Sequence, residues 1–310
     1  MDWAALGTVL TRLRFEWALA GWALSFLIIF GMTLRWRIFL GQQNIPLSFS
    51  TVLSLIWAGQ FFNSVLPGST GGDVVKIYQA CRLAPDQKPA AAATVFVDRL
   101  TALVALVVLT SISLAINPAP LGILSSVPLS PRLVFAWVSV ALAGALILAW
   151  VVLRLVRSSV WAGRISRTFA AVRKNLSFNR RFLVAILLAF AIHLVSFSTA
   201  YLFARALRIP ISYPQVLLMM PVVLFVVLLP VTINGHGLRE LLLIGYFSQM
   251  GIIFAGQSET GAREMAIALS LLLVTNDLLW SIPGGIWYFQ RFKGNSGPKP
   301  SQSASGDDNV

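Results

Sequence analysis

Five stretches of this chain, at 15–39, 89–116, 131–156, 180–207 and 262–290, are long and apolar enough to be membrane spans. A helix needs about 20 mostly apolar residues to cross a hydrocarbon core of about 30 Å. Backbone in lipid must satisfy its own hydrogen bonds, so runs of this length fold as helices. The whole chain agrees: 11% of its residues are charged, against about 25% in ordinary soluble domains. The expected fold class is an all-α polytopic membrane protein. The first span is followed at once by Arg35-Trp36-Arg37. That is a stop-transfer flank rather than a cleavage site, so the segment is expected to be a retained anchor.

The formal net charge of +13 points to cytoplasmic loops and anionic headgroups rather than nucleic acid. Arg154, Arg157, Arg164, Arg167, Arg173, Lys174, Arg180 and Arg181 crowd one loop, which is therefore cytoplasmic. Alternation from there also places Arg35, Arg37, Arg82, Lys88, Arg291, Lys293 and the C-terminus inside. The expected location is a plasma (inner) membrane of bacterial type. Within 157–178, Trp161, Ile165, Phe169, Val172 and Leu176 recur at helical spacing opposite the basic residues. This predicts an amphipathic helix on the inner leaflet. The polar tail, 293–310, is expected to be disordered.

Two further apolar blocks, 48–82 and 213–255, are interrupted by glycine and proline. Each is either two short spans or a re-entrant hairpin; both return the chain to the side it left. With the orientation above, span 15–39, block 48–82 and span 89–116 repeat as 180–207, 213–255 and 262–290 with sidedness reversed. Span 131–156 is the connector that permits the inversion, so residues 1–292 form one membrane domain. The interruptions echo one another. Leu66-Pro67, Gly71-Gly72-Asp73 and Lys76 stand against Leu229-Pro230, Gly235-His236-Gly237 and Arg239-Glu240. Paired interruptions at matching positions of two halves are the sequence pointer to a transporter's midplane site.

A helix that restarts after glycines offers unpaired N–H groups and a positive dipole end to an anion. Gly68, Gly71, Gly72 and Lys76, and Gly235, Gly237 and Arg239, are thus candidate headgroup contacts, with Arg99 as a further cation. Asn63 and Asn234 precede the breaks and are placed to bond loop backbone or ligand. Asp73 and Glu240 suit capping their own helices, Asp73 also pairing with Lys76. Asp98 and Asp277 lie within apolar spans, where a charge costs about 2.5–3.5 kcal/mol and therefore pairs or serves a pathway. Adjacent Asp98 and Arg99 point different ways and need separate partners. Asp277 is placed to hold a proton or to neutralise Arg239 or Lys76. His193 suits a hydrogen-bonded core position. One cysteine, Cys81, and two distant histidines leave neither a disulfide nor a metal cluster to be expected. No cofactor motif or catalytic constellation is visible, so an enzyme is not expected.

The stretches LPGSTGGDVVKIY, VDRLTALVAL, LPVTINGHGLRE and TNDLLWSIPGG together resemble the lysylphosphatidylglycerol synthase/flippase membrane-domain family across about 15–292. The resemblance implies a lipid flippase-like domain, in some members for aminoacylated phosphatidylglycerol. Other relatives are linked to hopanoid or polyprenyl-phosphate lipids. It marks Pro67, Gly68, Gly71, Gly72, Asp73, Asp98, Arg99, Pro230, Asn234, Gly235, Gly237, Arg239 and Glu240. The soluble aminoacyl-transferase domain of full-length synthases is not expected in a chain that reaches only Val310, so lysyl transfer is not implied. The expected partners are membrane lipids with anionic headgroups. Ion-coupled transport of a small anion, and a non-transporting role beside a lipid-modifying enzyme, are the alternatives.

Overall fold

A computed structural model describes residues 7, 11, 13–65, 71–117, 170–172, 174–176, 179–228, 237–249 and 259–293. Every regular element among them is helical. In chain order these are α1 (Phe15–Gln42), α2 (Phe49–Val65), α3 (Gly71–Leu83), a 3-10 turn (Pro85–Gln87) and α4 (Lys88–Ile116). After the connector come α5 (Arg180–Ala206), α6 (Tyr213–Val227), α7 (Leu238–Gln249) and α8 (Glu259–Lys293). Among the described residues four helical stretches can cross a membrane: 15–42, 85–116, 180–206 and 263–290. The chain is a multi-pass membrane protein, and these are four of the five expected spans. The fifth, 131–156, lies outside the described residues, as do most of 157–178 and the tail from 294.

Each interrupted block is a pair of short helices. At about 1.5 Å per residue, α2 and α3 are about 26 and 20 Å long, and α6 and α7 about 22 and 18 Å. Over the described residues none reaches across a core of about 30 Å.

The turns that lead into the two blocks are alike. Asn44-Ile45-Pro46-Leu47-Ser48-Phe49 matches Arg208-Ile209-Pro210-Ile211-Ser212-Tyr213. Asn44 and Arg208 both take φ 58°. Ile45 N–H donates to Leu40 O at 3.0 Å, and Ile209 N–H to Ala204 O at 2.9 Å. This left-handed residue with a six-to-one bond is the Schellman ending of a helix. Proline two residues further on prevents continuation. Sequence reading of the halves passed over this pair.

Packing is reciprocal between the halves. The most extensive contact joins α1 to α5, which run antiparallel: Gly21 lies under Phe203 and Gly31 under Ile192. The block helix α2 docks on α8 of the other half, and α6 docks on α4. Gly284 makes the first contact possible, since a Cβ there would sit 2.0 Å from Trp57 O. In the second, Thr110 Oγ1 donates to Pro221 O at 3.1 Å and Ser113 Oγ to Leu218 O, bracing a helix that contains proline. Each half keeps a core of its own. Trp36, Leu40, Leu55 and Val95 pack in the first, and Phe197, Phe203, Met219, Tyr246 and Phe247 in the second.

Candidate functional site: a polar cavity at mid-span

A cavity of about 150 Å³ opens among α1, α2, α5, α6, α7 and α8. Its polar lining comes from Ser25, Gln60, Ser196, Thr199, Arg239, Asn276 and Asp277, with Trp280 alongside; Ile28, Ile29, Met32, Met220, Leu224 and Leu273 supply the apolar wall. Ser25 and Asn276 stand about midway along α1 and α8, so the cavity falls near the membrane midplane. Both interrupted blocks reach it, the first through Gln60 of α2 and the second through α6 and Arg239 of α7.

Arg239 is held there by the start of α7. Gly237 precedes the helix at φ 85°, a backbone region suited to glycine. Its N–H donates to the Glu240 carboxylate at the third helical position, which is the reciprocal half of a capping box. The other Glu240 oxygen accepts from Ser270 Oγ of α8. The acid therefore ties the first turn of α7 to α8. It points Arg239, 5% exposed, into the space that Asp277 also lines.

The first block uses its acid in the same way. Asp73, likewise third in its helix, pairs with Lys76 at 2.8 Å and with Arg99 of α4 at 2.7 Å. Gly72 N–H donates to Asn63 Oδ1 at 2.8 Å, so α2 caps the restart of α3. The glycine here admits protein backbone: a Cβ on Gly72 would lie 2.0 Å from Gly59 O. The alkyl chain of Lys76 then crosses Gly59. Gly71 opens α3. Lys76, Arg99, Asn63, Gly71 and Gly72 thus gather around Asp73 and the α2–α3 contact, apart from the cavity lining that holds Arg239 and Asp277.

Asp98 is paired separately. It accepts from Arg35 Nε at 2.7 Å and Nη2 at 3.2 Å, both residues at most 5% exposed. Arg35 follows the apolar run of the first span, yet α1 continues to Gln42 and draws it into the helix bundle. Beside it, Trp36 Nε1–H donates to Thr94 Oγ1 at 3.1 Å. His193 Nε2 lies 3.1 Å from Ala102 O, and its ring stacks on Phe197, as a core histidine does. Pro67, Gly68, Pro230, Asn234, Gly235 and His236 lie outside the described residues.

The neutral part of the lining escaped sequence reading. Ser25 Oγ donates to Asn276 Oδ1 at 2.6 Å, with the Trp22 carbonyl also within reach, and accepts from Trp280 Nε1–H at 2.7 Å. Asn276 beside Asp277 in mid-span was the available signal. Trp280 reads in sequence as one more aromatic residue of a span, whereas its indole nitrogen is engaged at the cavity.

Together these features define a polytopic helical membrane protein with a polar, charged cavity at mid-span. The chain belongs to the family described as the lysylphosphatidylglycerol synthase TM region, which it matches over residues 1–255. Membership ties it to membrane lipid handling. The matched region ends before α8, the source of Asn276, Asp277 and Trp280. No curated protein and no solved structure matches the chain.

Proposed function

We propose that this protein is flippase-like, taking the phosphate headgroup of an anionic lipid into the mid-span cavity and passing it between leaflets of a bacterial-type inner membrane. The observation that carries the reading is Arg239, a buried cation on the first turn of an interrupted helix, facing a polar cavity at membrane depth. A charge there is costly unless it serves a partner or a pathway. The helix start adds dipole and N–H groups of the same sign preference. Inverted repeats with short paired helices, suggested by the matching turns and the exchange of α2 and α6, are the architecture on which such sites are built. The short helices then re-enter rather than cross, and the Arg/Lys bias places the C-terminus and the 157–181 loop inside. The Asp73–Lys76–Arg99 cluster carries net positive charge and stands as a second contact for headgroups. Chemistry on the lipid is no part of this reading.

Vesicle reconstitution tests it. Labelled anionic phospholipid should exchange between leaflets with wild type, and Arg239→Ala should slow exchange at least tenfold. Equal rates for the two proteins would remove the proposal. Asp277 in the same cavity favours one second reading, proton-coupled transport of a small soluble anion. Anion uptake that follows an imposed proton gradient, with no lipid exchange, would establish that reading instead.

A further inference from the structure

We propose that the seam between α1 and α8 is a lateral portal. Through it the hydrocarbon chain of a lipid leaves the cavity, with Phe26 and Trp280 as its two leaves. The inference rests on the cavity being a headgroup site and adds the place where the tail lies.

A headgroup at mid-span cannot bring its acyl or isoprenoid chain into 150 Å³. The chain has to cross the wall of helices at some point. Two parts of that wall are closely packed: Gly21 and Gly31 seat the Phe203 and Ile192 side chains of α5 on α1, and Gly284 seats α8 on the Trp57 backbone of α2. The α1–α8 contact is slight beside those of α1 with α5 and of α8 with α2. Across it the hydrogen bonds are neutral, running from Trp280 Nε1 to Ser25 and from Ser25 to Asn276. Side-chain bonds of this kind can break and re-form without stranding a charge.

The seam also has an inner and an outer face. Trp280 lines the cavity on one side and packs on the Phe26 ring at 5.4 Å on the other. Phe26 is 37% exposed, and Phe30 one turn further along α1 is exposed as well. On the inner side of α1, Ser25, which precedes Phe26, and Ile29, about one turn on, are 1% and 4% exposed and line the cavity. A rotamer change at Phe26 and Trp280 would therefore connect lipid directly to the cavity. The indole would keep a polar nitrogen for the headgroup side.

The test uses the full chain in phosphatidylglycerol vesicles containing a trace of the same lipid with a diazirine midway along one acyl chain. After photolysis, labelled residues are mapped by mass spectrometry. Bulk lipid marks outward positions such as Phe26 and Phe30 whatever the mechanism. The portal predicts additional label on Ile29 and Ser25, none on the equally buried Phe197 and Val223, and a several-fold rise at Ile29 in Phe26→Ala. Label confined to outward positions in both proteins would overturn it. The two readings separate cleanly. Label inside the seam without leaflet exchange keeps the portal and removes translocation; exchange with an unlabelled seam does the reverse.

Discussion

At the scale of single residues, the buried ion pairs decide where the bundle is vulnerable. Arg35 and Asp98 are bidentate and nearly without solvent. Removing one partner leaves the other buried and uncompensated, which costs about 3–5 kcal/mol. Arg35→Met or Asp98→Leu should accordingly lower the melting temperature in detergent sharply. The double substitution should recover most of the loss, since a well-packed apolar pair replaces a buried ion pair at little net cost. Thermal unfolding of the three variants measures this, and a double variant as unstable as the singles would contradict it. Asp98 was legible because it interrupts a long apolar run, whereas Arg35 read in sequence as a cytoplasmic flank of the first span. Ser25, Ser196 and Thr199 were not legible. Hydroxyls in apolar helices bond their own backbone, as Thr33 does to Ile29 O at 2.8 Å and Thr199 to Val195 O at 3.0 Å. Only tertiary packing shows which of them also line a cavity.

At the scale of elements, two glycines serve close packing. The sequence pattern of paired glycines leads to the expectation of an anion cradle at both breaks. Gly72 also lets α3 press on the Gly59 carbonyl, and Gly284 lets α8 press on Trp57. Neither role could be read from one chain, because each needs a neighbour remote in sequence or a loop closed in space. Gly284→Ala places a Cβ 2.0 Å from a backbone oxygen that no side-chain rotation can relieve. Overpacking of this kind costs about 1–3 kcal/mol or more. The variant should show a lower melting temperature and weakened α2–α8 contact, read out as faster hydrogen exchange in α2. Gly41→Ala, where a Cβ meets nothing within 4 Å, is the matched control and should change neither. Four of the five expected spans, by contrast, were found within a few residues, and each interrupted block is described as two separate helices, because apolar run length and Gly/Pro breaks act locally.

At the scale of the whole molecule, the exchange of α2 and α6 means that each half packs its short helix partly on its own core and partly on a helix of the other half. Residues 1–117 contain α2 without its seat on α8, and the remainder contains α6 without its seat on α4. Expressed separately, each piece should be degraded or aggregate. Expressed together, 1–117 and 118–310 should associate and copurify. A monodisperse N-terminal piece on its own would contradict this.

The matching turns at Asn44 and Arg208 give that dependence a historical reading. If the two halves descend from one duplicated segment, the unduplicated ancestor had no other-half helix on which to rest. On the inverted-repeat reading proposed above, it would have needed a twin inserted upside down in the same bilayer. A gene product of half this length would then have worked only as an antiparallel couple drawn from a population of mixed orientation.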